Sequence, residues 1–265
     1  MQDATPSSFL RIIQRLGPIT AAEQFRLDSL TAEEHRIAAR RKLIDDGRRS
    51  HQMFIVKQGW VAEFKQLPDG GRQILSFRLP GEVIGLECLV YEMALHAAAT
   101  LTDCVVASIS RTTLEHFQRD HPRLMAARFL LTLRDRAILN GWLINVGRRP
   151  AFIRVIHLLL ELTQRLQLRG LAAGPHIPLP LTQQDIADST GLTTSYVNRI
   201  LQDLRQRGLV HLRDHILEIL SPEELARLAG FKPDYLQFSP QMWNPLSPVA
   251  SLGDIAAPHD LRSRA

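Results

Sequence analysis

Hydrophobic residues keep a helical rhythm at both ends of this chain and a two-residue rhythm between them. Phe9, Ile12, Ile13 and Leu16 fall on one helical stripe, and a second short helix is expected around Phe25 to Leu30. From about Ile37 the period shortens to two. Phe54, Val56, Val61, Phe64, Ile74, Leu75 and Phe77 come in short runs between turn residues, which predicts a meander of strands. Leu67-Pro68-Asp69-Gly70-Gly71 predicts a hairpin, and Pro80-Gly81-Glu82 marks another corner. Further strands near Ala97 to Thr100 and Val105 to Ile109 complete a barrel or jelly-roll sandwich of about eight strands.

The helical rhythm returns in a long helix expected over roughly Pro122 to Val146. Ala126, Leu130, Leu133, Ala137, Asn140 and Ile144 are spaced 4, 3, 4, 3 and 4 apart, the rhythm of a two-stranded coiled coil, and predict the seam of a parallel homodimer. Phe129, Trp142 and Leu143 lie on another face, expected to pack on the chain's own barrel. Gly147-Arg148-Arg149-Pro150 reads as a hinge, Ala151 to Leu168 as a further helix, and Gly170 to Pro180 as a loop.

Leu181 to Val210, LTQQDIADSTGLTTSYVNRILQDLRQRGLV, predicts a helix-turn-helix. Thr182 and Asp185 sit in capping-box register, Ala187 falls where crossing helices need a small side chain, and Gly191 where the turn needs positive φ. Val197, Ile200, Leu201 and Leu204 form one buried stripe. Thr193, Thr194, Ser195, Tyr196, Asn198, Arg199 and Gln202 crowd the start and outer face of the second helix, and with Gln183 they are the candidate DNA contacts, because short or forked hydrogen-bonding side chains read base edges in a major groove. Leu209 to Leu212 and Ile216 to Ile219 flank Arg213-Asp214-His215 as a wing, with Arg213 a further candidate contact. Ser221 followed by Pro222, Glu223 and Glu224 predicts a capped closing helix ending near Ala229. From Ser239 onward no period is left, and a disordered tail is expected.

Composition changes this picture little. A net charge of +5 suits a nucleic-acid binder, but residues 147 to 230 hold 10 Lys or Arg against 8 Asp or Glu, so the local pattern carries the argument. No run reaches the roughly 18 apolar residues of a membrane span and no secretory signal opens the chain, so a cytoplasmic protein is expected. Cys88 and Cys104, the two cysteines, stand in apolar runs without metal-ligand spacing and read as buried thiols.

A barrel, a long helix and a winged helix in this order resemble the Crp/Fnr superfamily of bacterial transcription regulators, over roughly residues 20 to 236. The likeness is strongest in Leu181 to Val210, GWVAEFKQLPDGGRQILSFRLPGEVIGL, AILNGWLINVGRR and FKPDYL, and points to an alphaproteobacterial-type subgroup. It implies an α+β chain with a cyclic-nucleotide-binding-like barrel or jelly roll (21–121), a dimerisation helix (122–147) and a winged helix-turn-helix (148–236), which the residue pattern flanks with an N-terminal helical extension (1–20) and a disordered tail (237–265). It also implies a homodimer on a palindromic operator that touches RNA polymerase. Arg199 matches the arginine that members use on a guanine or nearby phosphate, whereas Ser195 stands where many have glutamate. In the cyclic-AMP-binding branch Gly-Glu is followed by an Arg-Ser or Arg-Thr pair; here Leu86 follows Gly85 and Ala94-Leu95-His96-Ala97 holds no arginine. The oxygen-sensing branch needs an N-terminal cysteine cluster, and no cysteine precedes Cys88. No cofactor, metal or catalytic residue is expected; His96 alone lies near the pocket region as a remote candidate ligand. The rival readings are a cupin-like metal-dependent barrel enzyme, which needs an HxH pair this chain lacks, and a winged-helix module serving protein contacts only.

Overall fold

The computed structural model describes residues 8–91 and 93–237. Two helices, α1 (Ser8–Gln14) and α2 (Ala21–Leu30), precede eight barrel strands: β1 (Glu34–Ile37), β2 (Lys42–Ile44), β3 (Gln52–Gln58), β4 (Val61–Gln66), β5 (Arg72–Arg78), β6 (Val83–Ile84), β7 (Ala97–Thr100) and β8 (Cys104–Ser110), with α3 (Cys88–Tyr91) between β6 and β7. They form two antiparallel four-stranded sheets in the orders β1-β8-β3-β6 and β2-β7-β4-β5, a jelly-roll sandwich. The hairpin expected at Leu67–Gly71 joins β4 to β5, whose register runs from Gln66 opposite Arg72 to Val61 opposite Arg78. At the corner expected after Leu79, Gly81 has φ +89°, and a Cβ there would meet the backbone of Ser8, so α1 docks where only glycine fits.

Then come α4 (Arg111–Asp120), α5 (Pro122–Arg148), α6 (Ala151–Leu168), β9 (His176–Pro178), α7 (Gln183–Thr190), α8 (Thr194–Gln206), β10 (Val210–Arg213), β11 (Ile216–Ile219), α9 (Pro222–Ala229) and a 3-10 turn at Pro233–Leu236. The helix α4 and the strand β9 have no counterpart among the expectations. Helix α5 passes through Gly147 and stops at Arg149 (φ −78°, ψ 144°), because a residue before proline is forced out of the α region. Ser221 precedes α9 but its side chain makes no cap hydrogen bond. The tail expected to be disordered, with Met242, Trp243 and Leu246, lies outside the described residues.

The apolar core has three parts. Val56, Val61, Ile84, Cys88, Cys104 and Val106 fill the barrel, so both thiols are buried and free. A second cluster packs α1 and the start of α5 on the barrel's flank, from Phe9 and Ile13 to Leu124 and Leu131. The third runs from Trp60 and Phe77 through Trp142 into α6 and the helix-turn-helix; Phe77 and Trp142 meet edge-on with ring centroids 5.7 Å apart. Barrel and reader therefore share one core.

Leu130 is 5% exposed inside the second cluster, on its own barrel, so it is not available to a dimer seam. Phe129 and Leu143, expected to pack inward, are 55% and 72% exposed, and only Trp142 of that trio is buried. The apolar face of α5 turned to solvent is thus rotated from the expected one: Phe129, Leu133, Leu139, Leu143 and Ile144 line it, while Leu124, Leu131, Ile138 and Trp142 face the chain's own core.

Candidate nucleic-acid interface

Thr182 caps α7 in a complete capping box: its hydroxyl accepts from Asp185 N at 3.1 Å, and Asp185 Oδ2 accepts from Thr182 N at 3.0 Å. Gly191 ends the helix at φ +65°, ψ 39°, and the fully buried Ala187 lets α8 cross closely. Thr193 caps α8 by accepting from Tyr196 N at 3.3 Å, and Thr194 donates to Gln184 Oε1 at 2.6 Å. Both hydroxyls are engaged in building the motif. Val197, Ile200 and Leu204 face the core, whereas Ser195, Asn198, Arg199 and Gln202 are exposed on the opposite side. Tyr196 is half-exposed, and the Arg199 guanidinium lies 5.1 Å from its ring centroid, an arrangement that steadies a long side chain without consuming its hydrogen-bonding fork.

The wing is tighter than expected. Arg213 is the last residue of β10, and Asp214 (φ +50°) and His215 (φ +61°) make the two-residue turn, the conformation that follows the twist of the paired strands. Strand β9 adds to β11 and completes a three-stranded sheet. Between wing and recognition helix lies an open cleft of about 470 Å³, walled by Gln183, Asn198, Gln202, Arg205, Arg213 and His215. The structure thus brings Gln183, Asn198, Gln202 and Arg213 around one groove and sets Ser195, Tyr196 and Arg199 at the outer face of α8.

Asp185 has a second set of partners that sequence reasoning missed. Arg72 on the barrel donates to Asp185 Oδ1 at 2.9 Å and to Asp188 Oδ2 at 2.7 Å, and Arg40 reaches Asp185 Oδ2 at 3.3 Å. Burial raises the pKa of Asp185, but the Thr182 amide and hydroxyl and Arg40 outweigh it and hold the carboxyl below its usual range. A residue that caps the helix-turn-helix is therefore also clamped to the barrel.

The barrel's own pocket, about 560 Å³ against α5, is lined by Leu86, by the carboxylates Glu63, Glu87 and Asp135 and by Arg78, Arg128, Arg136 and Arg165. Arg78 is already paired with Glu63 and Asp135, each at 2.7 Å. His96 lies 3.3 Å from Glu87 and 3.6 Å from Glu63; the bond to Glu63 outweighs burial and raises its pKa. Among the described residues no group of three or more His, Cys, Asp or Glu could hold a metal ion, and no helix is long and apolar enough to cross a membrane.

Residues 153–228 match the Crp-like helix-turn-helix domain, and residues 34–121 match the cyclic nucleotide-binding domain. The nitrogen fixation regulation protein FixK of Rhizobium meliloti (strain 1021) is 32% identical over 192 residues, 72% of this chain and 84% of FixK. The chain belongs to the Crp/Fnr superfamily. A second relative, the transcriptional activatory protein AadR of Rhodopseudomonas palustris, is 27% identical over 222 residues, covering 83% of this chain and 90% of AadR. The solved structure of FixK2 from Bradyrhizobium japonicum superposes with a TM-score of 0.68 at 26% identity, over 75% of this chain and 98% of FixK2. As a Crp/Fnr member the protein is a DNA-binding transcription regulator and not an enzyme, which removes the cupin reading and the winged helix limited to protein contacts.

Proposed function

We propose that the protein works in the cytoplasm as a homodimer on a palindromic operator, with α8 of each subunit in a major groove and the wing against the flanking phosphates. The observation that carries this is the solvent-facing stripe of α5. Phe129, Leu133, Arg136, Asn140 and Leu143 are spaced 4, 3, 4 and 3 apart, a coiled-coil rhythm in which every position is exposed. Exposed side chains as large as Phe129 and Leu143 in one row mark a surface that a partner covers. Of the seam residues expected from sequence, Leu133, Asn140 and Ile144 stay in or beside this stripe, Ala126 and Ala137 flank it, and Leu130 leaves it. Two-fold symmetry then places half-site centres about 10 to 10.5 base pairs apart, or a multiple of that. Base reading falls to Arg199, Ser195, Asn198 and Gln202. Contact with RNA polymerase follows from the family likeness alone, and the barrel senses something other than a cyclic nucleotide, or serves as scaffold.

Sedimentation and operator binding test the dimer together. Phe129→Asp with Leu143→Asp places charges in the seam, and monomers that keep their circular dichroism but bind an operator at least about a hundredfold more weakly are expected. A double variant that remains dimeric puts the interface elsewhere.

A further inference from the structure

Where α1, α5, α6 and the 3-10 turn meet, three arginines share one carboxylate. Arg134, Arg165 and Arg169 converge on one carboxylate, Glu82: Arg165 Nη2 lies 2.7 Å from Oε2, Arg134 Nη2 3.6 Å from Oε1, and Arg169 Nη2 donates to Oε1. Oε2 also accepts from Leu79 N at 3.0 Å, so this carboxylate has little capacity left. Arg165 also donates to the Phe77 carbonyl at 2.6 Å and reaches Glu161 at 3.4 Å, and Arg134 reaches Asp135 at 3.3 Å, but among the described residues the only other partner of the Arg169 side chain is the Arg165 carbonyl at 2.6 Å. The three side chains are 10%, 3% and 2% exposed, and the Nε atom of each is buried with no hydrogen-bond partner among the described residues. An unpaired donor on a buried cation is among the costliest features a fold can carry.

These three guanidiniums do not back onto solid protein. They line a cavity of about 270 Å³ whose rim carries a fourth arginine, the exposed Arg15. The opposite wall is aliphatic: Ile12, Leu16, Leu131, Leu168 and Leu236. One wall is suited to an anion and the other to a hydrocarbon, and the volume is just below the roughly 300 Å³ at which drug-sized pockets begin.

We propose that this cavity binds a compact organic carboxylate, its oxygens beside the arginines that line it, Arg15, Arg134, Arg165 and Arg169, and its apolar body against Leu131, Leu168 and Leu236. A planar carboxylate matches guanidinium edges, and the aliphatic wall selects a ligand with a body over a bare anion. The incomplete neutralisation of the cluster shows in Arg169, whose pKa burial lowers to about 9 despite Glu82, with Arg134 and Arg165 lowering it further. The cavity is separate from the barrel pocket, but Arg165 lines both, and α6 is the first helix of the reader. An occupant therefore touches the N-terminal helix, the long helix and the DNA-binding domain at once.

Titration calorimetry of the full chain with sodium hexanoate, hexanamide and inorganic phosphate at constant ionic strength tests this. Saturable hexanoate binding with a raised melting temperature is expected, with hexanamide and phosphate each weaker by at least about tenfold. Arg15→Gln, at the exposed rim, should weaken hexanoate several-fold, and Arg169→Leu by more than tenfold. Leu168→Trp fills the apolar half while keeping every arginine, and should abolish binding in a chain of unchanged circular dichroism. No saturation at several millimolar hexanoate in folded wild type overturns the proposal. So does hexanamide binding as well as hexanoate, which describes an apolar crevice only. Phosphate binding as well as hexanoate and surviving Leu168→Trp also overturns it, since that describes a bare charge trap.

Discussion

The reader and the junction beneath it use the same residue types in opposite ways. On α8 and the wing, Arg199, Arg205 and Arg213 stand in water. At the junction Arg165 and Arg169 are buried and Arg78 and Arg134 half-buried, and the four compete for Glu63, Glu82, Asp135 and Glu161. Exposed charges contribute little to stability and are available to a partner; buried ones bind the fold into one setting, and each depends on the others. Under the proposed function the first group is available for recognition, while the second ties barrel, long helix and reader together.

The sharpest way to break this comparison is Glu82→Gln. Burial raises the Glu82 pKa, but Arg165, Arg169 and Arg134 outweigh it and hold the carboxyl far below its usual range, so it is ionised throughout the working pH range. Removing the charge that three guanidiniums share should cost roughly 3–5 kcal/mol, read by urea unfolding. A cost under about 1 kcal/mol would mean that water reaches the cluster and that the junction is not the rigid half of the molecule.

His157 sharpens the same side of the comparison. It is 3% exposed, packs on Phe231 with ring centroids 5.1 Å apart, and its Nδ1 has no partner among the described residues. Burial, helped by the charge of Arg149, lowers its pKa to about 4. The unfolded chain protonates this ring below about pH 6.5 and the native chain does not, so stability is full above that pH and falls between about 6.5 and 4. The loss approaches about 3 kcal/mol near pH 4. Unfolding free energies of wild type and His157→Phe at pH 7 and pH 4.5 check it: the variant should lose less on acidification.

How much of this the sequence discloses follows from how far apart the partners lie. The reader is legible because Thr182, Asp185, Ala187, Gly191 and the α8 stripe give their signals within one short segment. The junction is not: Glu82 and Arg165 are 83 residues apart, and Arg72 and Asp185 are 113 apart. Nothing local marks such pairs. The exposed face of α5 escapes for a related reason. A 4-3 rhythm fits two neighbouring faces of one helix, and only the barrel's position decides that Leu130 and Leu131 turn inward while Phe129 turns out. Helix α4 is hidden because it carries few apolar residues, Leu114 and Phe117 among them; its one usable signal is Ser110, whose hydroxyl accepts from Thr113 N.

On the reader's side, Arg199→Ala should leave unfolding and dimerisation unchanged, since the side chain lies outside the core with no acidic partner in the ion pairs of the described residues. Specific affinity should fall by about 1 to 3 kcal/mol, with preference relaxed at one base pair per half-site. A base-by-base operator scan measures it. Full specificity in the variant would remove Arg199 from the set of base readers.

Arg213 should give the smallest effect and separate two kinds of surface charge. It ends β10 beside the wing turn, and its one ion pair, to Asp214 at 3.2 Å, joins side chains that are 90% and 84% exposed, so water already screens it and DNA can displace it cheaply. In the proposed complex a guanidinium on the wing tip meets the phosphate backbone, which carries no direct base code. Arg213→Ala should therefore weaken all sequences alike and lower the salt slope of binding by about one unit for each phosphate no longer neutralised. Asp214→Ala should act in the opposite sense, because it frees the guanidinium and removes a charge that repels phosphate. Binding isotherms over a salt series, on an operator and on a scrambled duplex, distinguish the outcomes: equal losses on both duplexes place Arg213 on phosphate, whereas a loss confined to the operator makes it a base reader and moves the division between positioning and specifying residues from the wing into the groove.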